Sequence, residues 1–234
     1  MGKYLKDYLE KEKIYTKEIE KDFEEYKKEI IDWNEKINLT AITNSDEMDI
    51  KHFIDSILAF KTGLLDGEKK IIDIGTGAGF PAIPLKIVNR KLKVDMVDGL
   101  NKRIIFLKDI IGKLKLKNTR AFHARAEIMS KEEEYREKYD VAISRAVAPL
   151  NILLELTMPF VKIGGYFIAM KGPRLKEELE QSKNAIKKLS GKEEKIISLD
   201  LLDEGERYIL IVKKINKISK KYPRSNAQIK KNPL

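Results

Sequence analysis

The feature that most limits what this chain can become is the run Ile71-Ile72-Asp73-Ile74-Gly75-Thr76-Gly77-Ala78-Gly79-Phe80-Pro81. A short apolar stretch passes into three alternate glycines and then into a segment opened by proline. Proline is tolerated in the first turn of a helix, where its missing N–H would be unbonded anyway. Glycine permits φ > 0 and lets the main chain approach another group without a Cβ in the way. The run therefore reads as buried strand, tight turn and helix, the opening of a β-α-β unit.

The same rhythm continues downstream. The pattern predicts strands near 70–74, 93–97, 119–123, 139–143, 165–170, 194–200 and 207–213, and helices near 81–89, 101–114, 149–161 and 174–190. Such alternation implies an α/β fold with a mainly parallel sheet and helices on both faces. The last two strands, joined through Asp203-Glu204-Gly205-Glu206 without a helix, read as an antiparallel hairpin appended to the sheet. The first 67 residues read as helices. Ile19, Phe23, Tyr26, Ile30, Trp33 and Ile37 form one apolar stripe on a helix spanning Tyr15 to Ile37. A second helix is predicted from Ser45, with Ile50, Phe53, Ile54, Ile57, Leu58 and Phe60 inward and Gly63 closing it. The expected organisation is a helical extension over 1–67, an α/β domain over 68–213, and a loosely held basic tail over 214–234.

Composition removes several chemistries. The chain has no cysteine, which excludes disulfides, thiolate metal sites and thiolate nucleophiles. Its two histidines, His52 and His123, show no metal-ligand spacing, so no metal is expected. No apolar run approaches the roughly 20 residues needed to cross a bilayer, and Met1-Gly2-Lys3-Tyr4-Leu5-Lys6 lacks the apolar stretch of a signal peptide. A cytoplasmic monomer is expected. The formal charge of +10 is uneven: residues 1–67 carry 11 Lys/Arg against 16 Asp/Glu, whereas 213–234 carry 8 Lys/Arg and no acid. A basic domain with a basic tail favours a polyanion, RNA above all.

The glycine loop points to a ligand. A dinucleotide fingerprint would need glycine at position 80, which is Phe. The pattern G-x-G-x-G preceded by Asp73 suits a smaller nucleoside cofactor with no pyrophosphate, although a purely structural tight turn would use the same glycines. Asp98 ends the next strand, where a carboxylate can accept ribose hydroxyls. Glu127, with Ala126, follows the strand after that and can read an adenine edge. Acids after two successive strands, downstream of the glycine loop, read as a site for S-adenosylmethionine built on Gly75, Gly77, Gly79, Asp98 and Glu127.

The methyl acceptor is narrowed by what is missing. Attack on carbon 5 of cytosine needs a cysteine. Amino-group methylation typically uses an Asn/Asp-Pro-Pro-aromatic loop after the fourth strand, and here that loop is Ser144-Arg145-Ala146-Val147-Ala148-Pro149. A cationic loop suits guanine N7, whose in-plane lone pair needs no base to remove a proton. Catalysis then reduces to alignment in a water-poor pocket. Arg145 would bond O6, a phosphate or the cofactor, since donating to N7 would block attack.

These residues together resemble the bacterial small-subunit rRNA guanine-N7 methyltransferases, the RsmG or GidB family. The resemblance rests on Asn38-Leu39-Thr40, Lys51-His52-Phe53-Ile54-Asp55-Ser56, Asp73 through Pro84, Asp98 through Leu107, Arg125-Ala126-Glu127, Ser144-Arg145-Ala146, Lys171-Gly172 and Lys221-Tyr222-Pro223-Arg224. It implies a Rossmann-like, seven-stranded class I S-adenosylmethionine methyltransferase acting on one guanine N7 of 16S rRNA in the small ribosomal subunit. By motif position it implies cofactor contacts at Gly75, Phe80, Ala126, Glu127 and Arg145. It also implies Arg145 and Lys171 as positioning groups, and Lys171, Lys220, Lys221 and Arg224 as RNA-facing. One departure stands out: where family members continue into Gly-Thr-Pro, this chain reads Ser225-Asn226-Ala227. His52 and Asp55, one turn apart, are expected to form a local hydrogen-bonded pair, and Phe80 to stack near the cofactor or fill the core.

Three other functions fit the sequence less well. A methyltransferase for a small molecule or protein is weakened by the basic tail. A non-catalytic RNA-binding or assembly factor sits poorly with intact glycines and both acids. A nicotinamide-dependent dehydrogenase is opposed by Phe80.

Overall fold

The structure is a computed structural model and describes residues 1–202 and 204–234; Asp203, in the predicted hairpin turn, lies outside the described residues. Among them, seven strands form one sheet: β1 (Lys70–Ile74), β2 (Lys93–Asp98), β3 (Thr119–His123), β4 (Tyr139–Arg145), β5 (Val161–Lys171), β6 (Gly191–Asp200) and β7 (Glu206–Lys214). Their order is β3-β2-β1-β4-β5-β7-β6. Strands β1 to β5 are parallel, and β7 runs antiparallel between β5 and β6. With no helix between them, β6 and β7 can only pair antiparallel. The carboxyl ends of β1–β5 and the start of β7 therefore share one sheet edge, which places every residue of the site below.

Each strand sorts its side chains into two layers with period two. Ile71, Val94, Met96, Val141, Ile143, Ile168 and Ile209 face one core. Their neighbours Ile72, Val97, Ala142, Phe167 and Leu210 face the other. Both faces are apolar because helices cover both. On the first face lie α1 (Lys3–Lys11), α2 (Lys17–Ile37), α5 (Ala82–Val88) and α6 (Asn101–Lys113). On the second lie α7 (Ala126–Met129), α8 (Leu150–Thr157), α9 (Leu175–Lys188) and α10 (Asn226–Lys231).

Helix α2 is capped by Thr16, whose hydroxyl accepts from Ile19 N at 3.1 Å, and ended by Asn38 in the left-handed region at φ 50°. Its Phe23, Tyr26 and Ile30 are fully buried, worth about 2 kcal/mol each. One core cluster joins Leu5, Phe23 and Phe53 to Ile71 and Ile83, so the N-terminal helices share the first layer of the sheet.

The predicted second helix proves to be composite: α3 (Ser45–Met48), a π-helical run over Asp49–Ile54, α4 (Asp55–Ile57), and a 3-10 segment over Leu58–Thr62. The expected inner face is buried at Ile50, Phe53, Ile54, Ile57 and Leu58. The ladder widens where the carbonyls of Lys51 and His52 accept from Arg145, an outside donor.

The tail departs from expectation. Ile218, Tyr222 and Ile229 are buried. Arg136 donates to the carbonyls of Ile218, Ser219 and Tyr222. Ser225 and Gln228 form a capping box at the start of α10. Residues 214–234 are thus docked, because apolar side chains spaced among the lysines find a groove beside α8.

Candidate functional site

Strand β1 delivers the glycine loop to the carboxyl edge. Gly75 N and Thr76 N donate to Val97 O at 2.9 and 3.2 Å, tying the loop to the end of β2. The three glycines serve different ends. Gly75 has φ +74°, and a Cβ there would lie 2.5 Å from Val147 Cγ2, so the loop after β4 closes against it. Gly77 has φ +62° and nothing within 4 Å of where its Cβ would be. At the carboxyl end of β1 that open space leaves the main chain accessible to a ligand. Gly79 instead abuts Ile83 and the Tyr26 hydroxyl, and Tyr26 donates to Ala78 O at 2.6 Å. Helix α2, outside the motif, therefore props the loop.

Asp98 ends β2, buried, with Oδ2 accepting from Gly77 N at 3.0 Å and from Arg103 at 3.2 Å, and Oδ1 accepting from Leu100 N at 2.9 Å. Oδ1 has one donor and a lone pair to spare. Asp73 is buried beneath the loop; its Oδ2 meets Ala82 N at 3.4 Å and its Oδ1 has no partner. Burial pushes its carboxyl up to about 7. Ala126 and Glu127 start α7, both nearly buried, and Ala124 N bonds Asp98 O at 3.2 Å. The edge thus offers an open glycine, spare carboxylate acceptors and a buried acid, a donor set that suits a hydroxyl-rich cationic nucleoside.

Arg145 ends β4 beside β1, where Ser144 Oγ donates to Ile74 O at 2.9 Å. Its Nη1 donates to Asp55 Oδ2 at 2.6 Å and to the carbonyls of Lys51 and His52 at 3.1 and 3.3 Å. Its guanidinium lies 5.1 Å from the centre of the Phe80 ring. His52 also stacks on Phe80, the two ring centroids 4.4 Å apart. Phe80 is thus a buried member of the first core that also packs against Arg145 and His52. The expected pairing of His52 with Asp55 is corrected: His52 meets Thr40 Oγ1 at 2.7 Å, and Asp55 pairs with Arg145 and, at 3.3 Å, Arg207. The π-helical widening turns the two side chains to different partners. Burial and the Arg145 charge lower the His52 pKa to about 4, leaving a neutral ring.

Beside Arg145 opens a cleft of about 700 Å³, walled by Lys51, Arg145, Val147, Lys171, Arg174 and Arg207. Lys171 ends β5 with its ammonium nearly buried, held by Glu178 and the carbonyl of Ala148, each at 2.7 Å. The tail cations sit elsewhere. Arg136, Glu137 and Lys138 precede β4, and the tail docks against them. Exposed Lys220 and Lys221 thus lie at the opposite sheet edge from Arg145, about 20 Å away along β4. Arg224 is turned inward: its backbone N and guanidinium bond the fully buried Glu155 at 2.6–3.2 Å. Its guanidinium is committed there, because an unpaired carboxylate at that depth would be costly.

Sequence reasoning missed Tyr26, Glu178, Arg174, Arg207 and the role of Asp55. Of these only Arg207 carried a signal, since the start of an antiparallel strand returns to the carboxyl edge of its parallel neighbours.

The sequence profile described as GidB, rRNA small subunit methyltransferase G, matches residues 19–209. The chain is 48% identical over 213 residues to the ribosomal RNA small subunit methyltransferase G of Thermoanaerobacter sp. (strain X514), and 51% identical over 213 residues to the protein of that description from Clostridium botulinum (strain Loch Maree / Type A3). Each alignment covers 91% of this chain and 89% of the relative. Similar solved structures include an S-adenosylmethionine-dependent methyltransferase from Aquifex aeolicus (TM-score 0.53, 18% identity, 72% of this chain and 93% of that one). Another is the fibrillarin pre-rRNA processing protein of Methanococcus jannaschii (TM-score 0.52, 16% identity, 65% and 69%). These likenesses carry the fold, a Rossmann-like methyltransferase sheet. With the profile spanning most of its length and half its residues shared with such relatives, the chain belongs to the rRNA small subunit methyltransferase G family.

Proposed function

We propose that this protein transfers a methyl group from S-adenosylmethionine to N7 of one guanine in the 16S rRNA of the small subunit, in the cytoplasm. The observation that carries this reading is the meeting, at one sheet edge, of an open glycine loop with carboxylates and a cation-walled cleft at Arg145. When bound, the cofactor supplies an electrophilic methyl carbon on a sulfonium.

The residues divide the remaining tasks. Gly75 and Gly77 hold the loop in its left-handed turns, and Asp98, Phe80, Ala126 and Glu127 line the cofactor side. With its spare Oδ1 lone pair, Asp98 would accept hydrogen bonds from the ribose hydroxyls of the bound cofactor. Arg145, fixed by Asp55 and two carbonyls, presents a rigid guanidinium toward the acceptor base or its phosphate, while Lys171, on the neighbouring strand, shapes the adjoining wall. A neutral His52 stacked on Phe80 keeps water from that corner. No side chain need take a proton, because N7 already bears its lone pair, so catalysis is alignment and exclusion of water. Lys220 and Lys221 contact backbone phosphates remote from the target base. Small subunits lacking the modification, incubated with labelled cofactor and this protein, should acquire label at one guanine N7. Label absent from RNA, or placed on a different atom, rejects the reading.

A further inference from the structure

The charges of the cleft are unevenly partnered. Five cations line it, Lys51, Arg145, Lys171, Arg174 and Arg207, against two carboxylates, Asp55 and Glu178. His52 adds no charge near neutral pH, its pKa being lowered to about 4. Asp55 takes Arg145, and Glu178 takes Lys171. Lys51 is held at the rim by Glu47 at 2.9 Å and Glu204 at 3.2 Å. Two cations are left with donors to offer. Arg207 touches Asp55 only through Nε at 3.3 Å, and its Nη1 meets the carbonyls of Glu206 at 3.2 Å and Glu204 at 3.5 Å, which leaves Nη2 to offer. Arg174 is exposed and has no carboxylate partner among the described residues.

Both stand at the carboxyl edge. Arg174 lies three residues beyond the end of β5, and Arg207 immediately precedes Tyr208, which pairs with Lys171 in the sheet. We propose that Arg174, with Arg207 beside it, forms a phosphodiester-binding site on the rim of the cleft, gripping the backbone of the RNA strand whose base enters at Arg145. This rests on the reading of the cleft as the acceptor site. It places the backbone contact on residues outside every motif that marks the family resemblance.

The chemistry favours a phosphodiester. A guanidinium offers paired donors that match two non-bridging oxygens. Arg145 and Lys171 each have a close carboxylate and Arg207 only shares Asp55 with Arg145, so an incoming anion gains most from Arg174, which has none among the described residues, and next from Arg207. An exposed arginine holds a free anion weakly, whereas in a polymer each such contact adds to the others. The ligand is therefore an RNA chain and not free phosphate. Arg174 precedes α9 but its side chain makes no capping bond there, so its loss leaves the helix intact.

The test compares wild type, Arg174→Ala and Arg174→Lys on small subunits lacking the modification. With Arg174→Ala, KM for the RNA should rise about tenfold and the log–log salt slope should become shallower by roughly 0.7, one phosphate contact on single-stranded RNA. Calorimetric affinity for S-adenosylmethionine should stay at the wild-type value, and Arg174→Lys should recover much of the KM. An unchanged KM and salt slope in Arg174→Ala, with an active wild type, would overturn the site alone. A wild type that puts no label into RNA would overturn the functional reading and this one with it. Tight binding of inorganic phosphate, lost in Arg174→Ala, would reassign the site to a free anion and reject the RNA backbone.

Discussion

Replacing Asp55 by Ala should destabilise the protein and disable it, and the size of both effects follows from where the carboxylate sits. Asp55 and Arg145 side chains are 10% and 11% exposed. Removal leaves the guanidinium with two neutral carbonyls and the face of Phe80, and frees Arg207 as well. Breaking a buried pair by deleting one partner costs about 3–5 kcal/mol, and the slight exposure here argues for about 3. With an unfolding entropy near 0.5 kcal/mol/K for a chain of this length, the melting temperature should fall by roughly 6 °C. Asp55→Asn keeps an acceptor and loses only the charge, so about half that cost is expected. Urea unfolding of Asp55→Ala, Arg145→Ala and the double variant should give a coupling energy of about 2 kcal/mol. Methyl transfer should fall at least tenfold at a temperature where the variant is folded. A cost below about 0.5 kcal/mol in Asp55→Ala, or a coupling near zero, would refute the claim that Asp55 sets Arg145.

Gly77→Asp should abolish S-adenosylmethionine binding in calorimetry, since it fills the open space and sets a like charge beside Asp98; Gly77→Ala should fold with about 1 kcal/mol of backbone strain. Arg224→Ala should cost about 3 kcal/mol in urea unfolding by stranding the buried Glu155; a loss confined to RNA affinity would make Arg224 an RNA contact instead. Neutralising Lys220 and Lys221 should flatten the salt dependence of RNA binding by about 1.4 in slope without moving the melting temperature. Asp73 predicts a pH dependence. Its folded pKa of about 7 lies above the ordinary 3.8, so the folded chain keeps a proton that the unfolded chain loses between those values. Wild type should lose stability relative to Asp73→Asn as pH rises from 4 to 7. His52, titrating with the opposite sign, is common to both proteins and cancels in the comparison.

The division between what could be read in advance and what could not follows from the range of each interaction. Strands β1, β2 and β4 were legible because parallel strands covered on both faces read as short apolar runs, and the glycine loop because its conformation is a local demand on residue type. Arg145 was legible as the end of the fourth strand next to a motif that marks the first. The break in the helix after Ser45 was not, since Arg145, some ninety positions away, supplies the donor to the Lys51 and His52 carbonyls inside it. The docking of the tail escaped for the same reason: three apolar residues among eight cations look solvated until the groove that takes them exists. Local chemistry in the chain thus determined the layered α/β sheet, the cofactor loop and the class of reaction. Only the tertiary structure decided which cation meets which carboxylate. Arg145 goes to Asp55, Arg224 to Glu155, and Lys220 and Lys221 to the edge opposite the cleft. An ion's partner is set by distance and burial, and neither exists until the helices close over the sheet.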